Sequence, residues 1–182
     1  MRPVYEKVLR KSGVLGQESP RVYDIAGGSG ILFHIAKDLR SGRVWEDYHL
    51  VDENENVLRI ARRRGIRNAH RGSLVSPPKR IRDVDHAFFL FPTVSGREGI
   101  NILRATEPLM KKGGRITLLG GIEDSSKTPP SETPSRNLKL VHYETIQLTP
   151  EQLEVLRGYE DFNLTDWRNG LRLMVYKKTD DG

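Results

Sequence analysis

Apolar residues fall along the chain in two rhythms that take turns. Val4, Val8 and Leu9 share one face of a short helix over residues 2–12. Gly13 to Pro20 is a loop. Val22-Tyr23-Asp24-Ile25 has the length and composition of a strand. It breaks at Ala26-Gly27-Gly28-Ser29-Gly30, and Leu32, Ile35, Ala36 and Leu39 then recur at helical spacing. The alternation repeats. Tyr48 to Val51 is a second strand ending in Asp52-Glu53. Asn54 caps a helix predicted to bury Val57, Leu58, Ile60 and Ala61 and to stop at Gly65. A weak strand near Asn68 to Arg71 ends at Gly72-Ser73-Leu74.

After the connector Pro77 to Asp83 comes the most apolar run, Val84 to Phe91. It is nearly continuous, as expected of a central parallel strand buried on both faces. A helix from about Arg97 to Glu107 meets Pro108, which ends or kinks it. Lys112-Gly113-Gly114 turns into a fifth strand, Arg115 to Leu119. Glu123 to Asn137 holds three prolines and no periodicity, and is the best candidate for a mobile loop. Leu138 to Leu148 weakly favours an extended segment, and residues 122–148 together read as a lid-like region. Thr149-Pro150-Glu151-Gln152 is a helix start with a capping box, and Gly158 ends that helix. Phe162 to Trp167 and Leu171 to Lys178 read as two strands joined by Arg168-Asn169-Gly170, leaving 179–182 as a tail.

Strand and helix alternate five times and finish in a hairpin. The expected architecture is therefore an α/β, Rossmann-like, doubly wound sheet of seven strands, mostly parallel with one antiparallel strand from the C-terminal hairpin. One domain is expected over 1–182: an N-terminal helix and loop (1–20), then a core (21–178).

Composition narrows the function classes. No cysteine is present, which removes disulfides, thiolate catalysis and Cys-ligated zinc. No apolar run approaches the roughly 20 residues of a membrane span, and the N-terminus has no apolar signal region, so a cytoplasmic protein with no membrane association is expected. The five histidines have no metal-ligand spacing, and no metal is expected. His34 is expected in solvent and His86 in the core. The net charge of +6 permits nucleic acid without demanding it. Arg59, Arg62, Arg63, Arg64, Arg67 and Arg71 form a basic run, read first as a solvated face pointing away from the ligand end of the sheet.

A strand, a glycine turn and a helix in that order bring backbone N–H groups up to a ligand. The nicotinamide-dinucleotide fingerprint would need a small residue where Phe33 stands, which opposes that reading. The chain instead resembles the class I S-adenosylmethionine-dependent methyltransferases over about residues 20–178. Asp24 to Gly30, DIAGGSG, is similar to that family's acidic-x-Gly-x-Gly-x-Gly turn, with Ala26 in place of the first glycine. Asp52 ends the second strand, and MKKGGRITLL at Met110 to Leu119 resembles the family's entry to its fifth strand.

The resemblance implies a cofactor site for S-adenosyl-L-methionine, with S-adenosyl-L-homocysteine as product. It implies Asp24, Ala26, Gly27, Gly28 and Gly30 at the methionine part and Asp52 at the ribose diol. Glu53, Ser73, Leu74 and Phe91 would lie around the adenine and the cleft, and Ser73 stands where many members have Asp. It also implies a methyltransferase, an enzyme that transfers one-carbon groups. The single cleft and the short lid-like loop make a small-molecule acceptor the leading reading. The alternatives are an RNA or protein acceptor met through the basic run, and a non-catalytic cofactor-binding partner subunit. At the mouth, Phe91-Pro92-Thr93 follow the fourth strand, and His142, Tyr143 and Glu144 in the lid-like region offer a base, an aromatic wall and an acid as candidates for catalysis. No Asn/Asp-Pro-Pro-Tyr follows the fourth strand, which disfavours N-methylation of that type.

Overall fold

The computed structural model describes residues 1–43, 45–73, 75–78, 80–90, 96–121, 135–157 and 170–179. The strands are β1 (Val22–Ile25), β2 (Tyr48–Asp52), β3 (Asn68–Arg71), β4 (Val84–Leu90), β5 (Met110–Gly121), β6 (Leu138–Ile146) and β7 (Leu171–Lys178). The helices are α1 (Arg2–Ser12), α2 (Ile31–Leu39), α3 (Glu55–Arg63), α4 (Gly96–Thr106) and α5 (Pro150–Arg157). The strands form one sheet in the order β3-β2-β1-β4-β5-β7-β6. β1 pairs in parallel with β2 and β4, and β7 runs antiparallel between β5 and β6. The chain winds outward from β1 to β3, then returns to β4 and winds the other way. The switch point, where such sheets open a crevice for ligands, therefore lies between β1 and β4.

The two-residue period of the strands divides the core into two layers. Val22, Leu50, Phe88, Leu90 and Leu119 point to the face covered by α1, α2 and α3, where Val8, Leu9, Leu32, Ile35, Leu58 and Ala61 meet them. Tyr23, Ile25, Val51, Ala87, Phe89 and Ile116 point to the other face, against Ile102 and Leu103 of α4. β4 is buried on both faces over all but Asp85, as its nearly continuous apolar run predicts.

Local signals read from the chain hold in several places. α1 ends at Gly13 in the left-handed region, with φ of 79°. Asn54 caps α3 by accepting from the Asn56 N–H at 2.9 Å. Thr149 and Gln152 close a reciprocal capping box at 2.8 and 3.3 Å.

Other features differ from expectation. The segment Leu138–Ile146 is a full strand, β6, so the expected lid region is narrowed at its C-terminal side. β6 is the outer antiparallel neighbour of β7, with β5 the inner one, and α5 lies between β6 and β7 in the chain. The expected partner Phe162 to Trp167, the turn residues Arg168 and Asn169, the helix stop Gly158, the loop 122–134 and the tail 180–182 lie outside the described residues. β5 begins at Met110 rather than Arg115, because a bulged stretch precedes its regular pairing with β4. Ile60 was expected in the core but is 42% exposed, and Val57, expected there too, is half-buried, since Leu58 and Ala61 are the buried residues of α3. Among the described residues, no helix is long and apolar enough to cross a membrane.

Candidate functional site

The glycine turn sits at the carboxyl end of β1, beside the switch point. Its three glycines have three different reasons to be there. A Cβ on Gly27 would lie 2.6 Å from Asp24 Oδ2 and 2.9 Å from Leu50 Cγ, so this position must be bare to pack on β1 and β2. A Cβ on Gly30 would run into Ile66 Cδ1, and Gly30 has φ of 77° as the residue that opens α2. Gly28 is different. Its φ is 55°, but nothing lies within 4 Å of where its Cβ would be. The first two glycines are closed in by the protein, and the third faces open space. Ala26 also adopts a left-handed φ of 56°, a conformation that costs a residue with a Cβ about 1–2 kcal/mol.

Asp52 ties the turn to β2. Its Oδ2 accepts from the Gly28 N–H at 2.9 Å and its Oδ1 accepts from the Asn54 N–H at 2.8 Å. Its backbone oxygen accepts from the Gly72 N–H at 3.2 Å, which brings the end of β3 to the same place. Each carboxylate oxygen thus makes one bond to the protein and keeps a lone pair for a further donor. The first turn of α2 has no side-chain cap and no acidic residue, so its N–H groups stay available to an anionic group.

Asp24 lies beneath the turn and is 2% exposed. The Tyr48 hydroxyl donates to its Oδ2 in a short hydrogen bond. Burial pushes the Asp24 carboxyl up to about 7; the Tyr48 bond opposes this and the Asp52 charge adds to it. Burial likewise pushes the Tyr48 phenol up, with the Asp24 charge next. Phe33 packs its ring 4.9 Å from that of Tyr48, so the residue that opposed a dinucleotide reading belongs to the floor of this site.

Ser73 follows β3, is exposed, and accepts from the Val75 N–H at 3.4 Å. Glu53 is exposed beside Asp52. Leu74 and Phe91 lie outside the described residues, as do Pro92 and Thr93. Asp24, Ala26, Gly27, Gly28, Gly30, Asp52, Glu53 and Ser73 are therefore gathered at the carboxyl ends of β1, β2 and β3.

His142, Tyr143 and Glu144 are not brought there. They lie on β6, four strand positions from β1, or about 19 Å at usual sheet spacing. Glu144 forms an ion pair with Lys7 of α1, which holds its carboxyl below the usual range, and sits 3.4 Å from His142 Nε2. His86 is a core histidine as expected, 1% exposed. His34 is not the solvent-exposed residue expected. It is half-buried against Phe33, and burial with the Arg64 charge lowers its pKa.

Two participants were missed. Tyr48 could have been suspected as a polar-tipped residue on an apolar strand, since a buried acid on the neighbouring strand needs a donor. Arg64 corrects the expected direction of the basic run: its Nη1 donates to the Ser29 hydroxyl at 3.1 Å, so the end of α3 reaches the flank of the turn. The packing of Ile66 against Gly30 brings it there.

No family model matches the chain, and no curated protein matches it in sequence. Solved structures do match in shape. The [4+2]-cyclase SpnF is 13% identical, with a TM-score of 0.68 over 98% of this chain and 81% of its own. An S-adenosylmethionine-dependent methyltransferase of Mesorhizobium loti is 14% identical, with a TM-score of 0.63 over 97% and 96%. The plantazolicin methyltransferase BpumL, solved with S-adenosylhomocysteine, is 14% identical, with a TM-score of 0.62 over 96% and 82%. The strand order, the glycine turn at the switch point and these likenesses agree: the chain has the fold of the class I S-adenosylmethionine-dependent methyltransferases.

Proposed function

We propose that the chain binds S-adenosylmethionine at the carboxyl ends of β1 to β3 and transfers its methyl group to a small-molecule acceptor. The observation that carries this reading is the pairing of Gly28 with Asp52: an open backbone position bonded to a carboxylate that keeps a lone pair on each oxygen. The donor set fits the cofactor. Asp52 would accept the two ribose hydroxyls, and Gly28 would let the ligand approach the backbone. Asp24, assigned to the ammonium by resemblance, would act on it from beneath the turn, and the uncapped first turn of α2 would take the carboxylate. Ser73 and Glu53 would border the adenine, with Leu74 and Phe91 assigned to its walls by resemblance alone.

S-adenosylmethionine brings an already activated methyl group, so the chain's own work is to orient it and keep water out. A proton acceptor is needed only for an acceptor atom that must lose a proton. Neither His142 nor Glu144 is assigned that role, because Glu144 is engaged by Lys7 at the far edge of the sheet.

A second reading, an RNA acceptor, has one specific observation in its favour. Residues 55–71 hold six arginines against one glutamate, close to the whole positive excess of the chain, and Arg64 carries that surface to the turn. It predicts RNA binding that weakens steeply with salt.

Calorimetric titration with S-adenosylmethionine and S-adenosylhomocysteine tests the cofactor. Both should bind the wild type. Asp52→Ala should weaken them about tenfold to a hundredfold, the usual weight of hydrogen bonds to a charged group, and Asp52→Asn by less. Absence of binding by the wild type to either ligand refutes the proposal. Binding without methyl transfer to any acceptor would favour the non-catalytic alternative.

A further inference from the structure

A cavity lies at the end of the sheet opposite the glycine turn, where β4 and β5 begin. Its volume is about 330 Å3, and it is lined by Asp85, His86, Lys111, Arg115 and Lys177, with Gly13, Gln17, Gly113 and Gly114. Its origin is an irregularity in pairing. Between the pairs Val84–Met110 and His86–Arg115, β4 advances two residues while β5 advances five. Lys111 to Gly114 therefore bulge from the ladder with β4. Gly113 takes a φ of 75°, and a Cβ on Gly114 would lie 2.7 Å from the Val84 carbonyl oxygen. The bulge thus presses against the strand and leaves a hollow beside it. Such bulges persist where they re-aim side chains.

Three cations and one anion face this hollow. Lys111 forms an ion pair with Asp85. Arg115 Nη1 donates to the Ser12 carbonyl oxygen at 2.8 Å, under the end of α1, which leaves the rest of its fork of donors. Lys177 has no carboxylate partner among the described residues. His86 is 1% exposed, and neither of its ring nitrogens has a hydrogen-bond partner among the described residues. Burial pushes its pKa down to about 4, with the Arg115 charge adding to this, so the ring is neutral and carries one donor and one acceptor. Rotating the ring by half a turn exchanges its nitrogens with its carbons, so either edge can offer a nitrogen to the cavity. A buried imidazole with both nitrogens unmatched is costly unless a ligand or water satisfies it.

We propose that this cavity binds the dianionic phosphate group of a small molecule, held by Lys111, Arg115 and Lys177 and hydrogen-bonded by His86. The two positive charges left after Asp85 is counted match a phosphate dianion better than a single carboxylate. The volume, at the lower end for small-molecule pockets, has room for more than the bare ion. The site is separate from the glycine turn and does not depend on what binds there.

The probes are inorganic phosphate and glycerol 3-phosphate, titrated calorimetrically into the full chain. At least one should bind saturably. Lys177→Ala, an exposed position that should not disturb folding, should weaken binding about tenfold. Asp52→Ala should leave it unchanged. Ligand should also raise the His86 titration midpoint, followed by NMR of its ring proton, because an anion favours the charged ring. Ester binding tenfold tighter than phosphate assigns the site to phosphomonoesters, and equal binding assigns it to the free ion. The proposal is overturned if neither probe saturates, if Lys177→Ala and Lys111→Ala both bind as the wild type does, or if the His86 signal stays still.

Discussion

Replacing Asp24 by Asn should make the protein more stable in mild alkali than in mild acid, relative to the wild type. The carboxyl is raised from an ordinary 3.8 to about 7 by burial. A raised carboxyl binds its proton more tightly in the folded than in the unfolded state. Its contribution is therefore complete below about pH 4, is lost as pH rises to about 7, and is constant above that. The whole loss amounts to about 4 kcal/mol. Between pH 5 and pH 8 it amounts to about 2–3 kcal/mol, because part is already gone at pH 5. The amide of the Asp24→Asn variant does not titrate, and its side-chain oxygen can still accept from Tyr48, although that bond loses about 1 kcal/mol of charge assistance. Urea denaturation of both proteins at pH 5 and pH 8 isolates the effect, since every other titrating group cancels in the difference. The stability of Asp24→Asn minus that of the wild type should grow by about 2–3 kcal/mol from pH 5 to pH 8. A difference that stays flat, or shrinks, would refute the idea that Asp24 is a buried and strained charge. The same variant should bind S-adenosylmethionine less tightly at pH 8, where the wild type offers the ammonium a carboxylate. Stability and binding would then move in opposite directions, as expected at a site held against its own preference.

The neighbouring turn supplies two more tests. Ala26→Gly removes the left-handed strain on a Cβ but adds freedom to the unfolded chain, so a net gain of about 0.5–1 kcal/mol is expected in urea denaturation, and a loss would contradict the strain. Gly28→Ala and Gly30→Ala should separate ligand approach from packing. Gly30→Ala meets Ile66 and should cost about 2–4 kcal/mol of stability, while Gly28→Ala should cost about 1 kcal/mol yet weaken S-adenosylmethionine by tenfold or more. A reversed stability order would refute the packing contrast, and a reversed binding order would show that Gly28 does not face the ligand.

What could be read from the chain was local or strongly periodic. The central strand β4 announced itself because burial on both faces makes the run from Ala87 to Leu90 wholly apolar, with Asp85 and His86 confined to its start. The caps at Asn54 and Thr149 announced themselves because a side chain bonds its own backbone two or three residues on. β6 was weak because only part of it is buried: Leu138 and Ile146 are enclosed, while Lys139, Val141 and Thr145 face outward. An edge strand has one neighbour, and its identity is decided by that neighbour rather than by its own sequence. The bulge before Arg115 was hidden for a similar reason. Lys112-Gly113-Gly114 reads as a simple turn, and only the register against β4 shows four residues set aside from the ladder.

The glycine turn illustrates where a motif stops being informative. Its spelling puts a backbone near a ligand, but does not say which glycine the ligand meets. The structure separates them, with Gly27 and Gly30 packed against Leu50 and Ile66 and Gly28 open. Asp24 and Asp52 differ in the same way. Both are acids at the ends of strands, but one is sealed under the turn with Tyr48 and the other keeps lone pairs toward the cleft. The same fold carries a cyclase as well as methyltransferases, so the fold alone does not choose the reaction. That choice falls to the groups that face the bound ligand, and among the described residues Asp52 is the charged side chain bonded to the open glycine. Its substitution is therefore the step on which the rest of the functional reading turns.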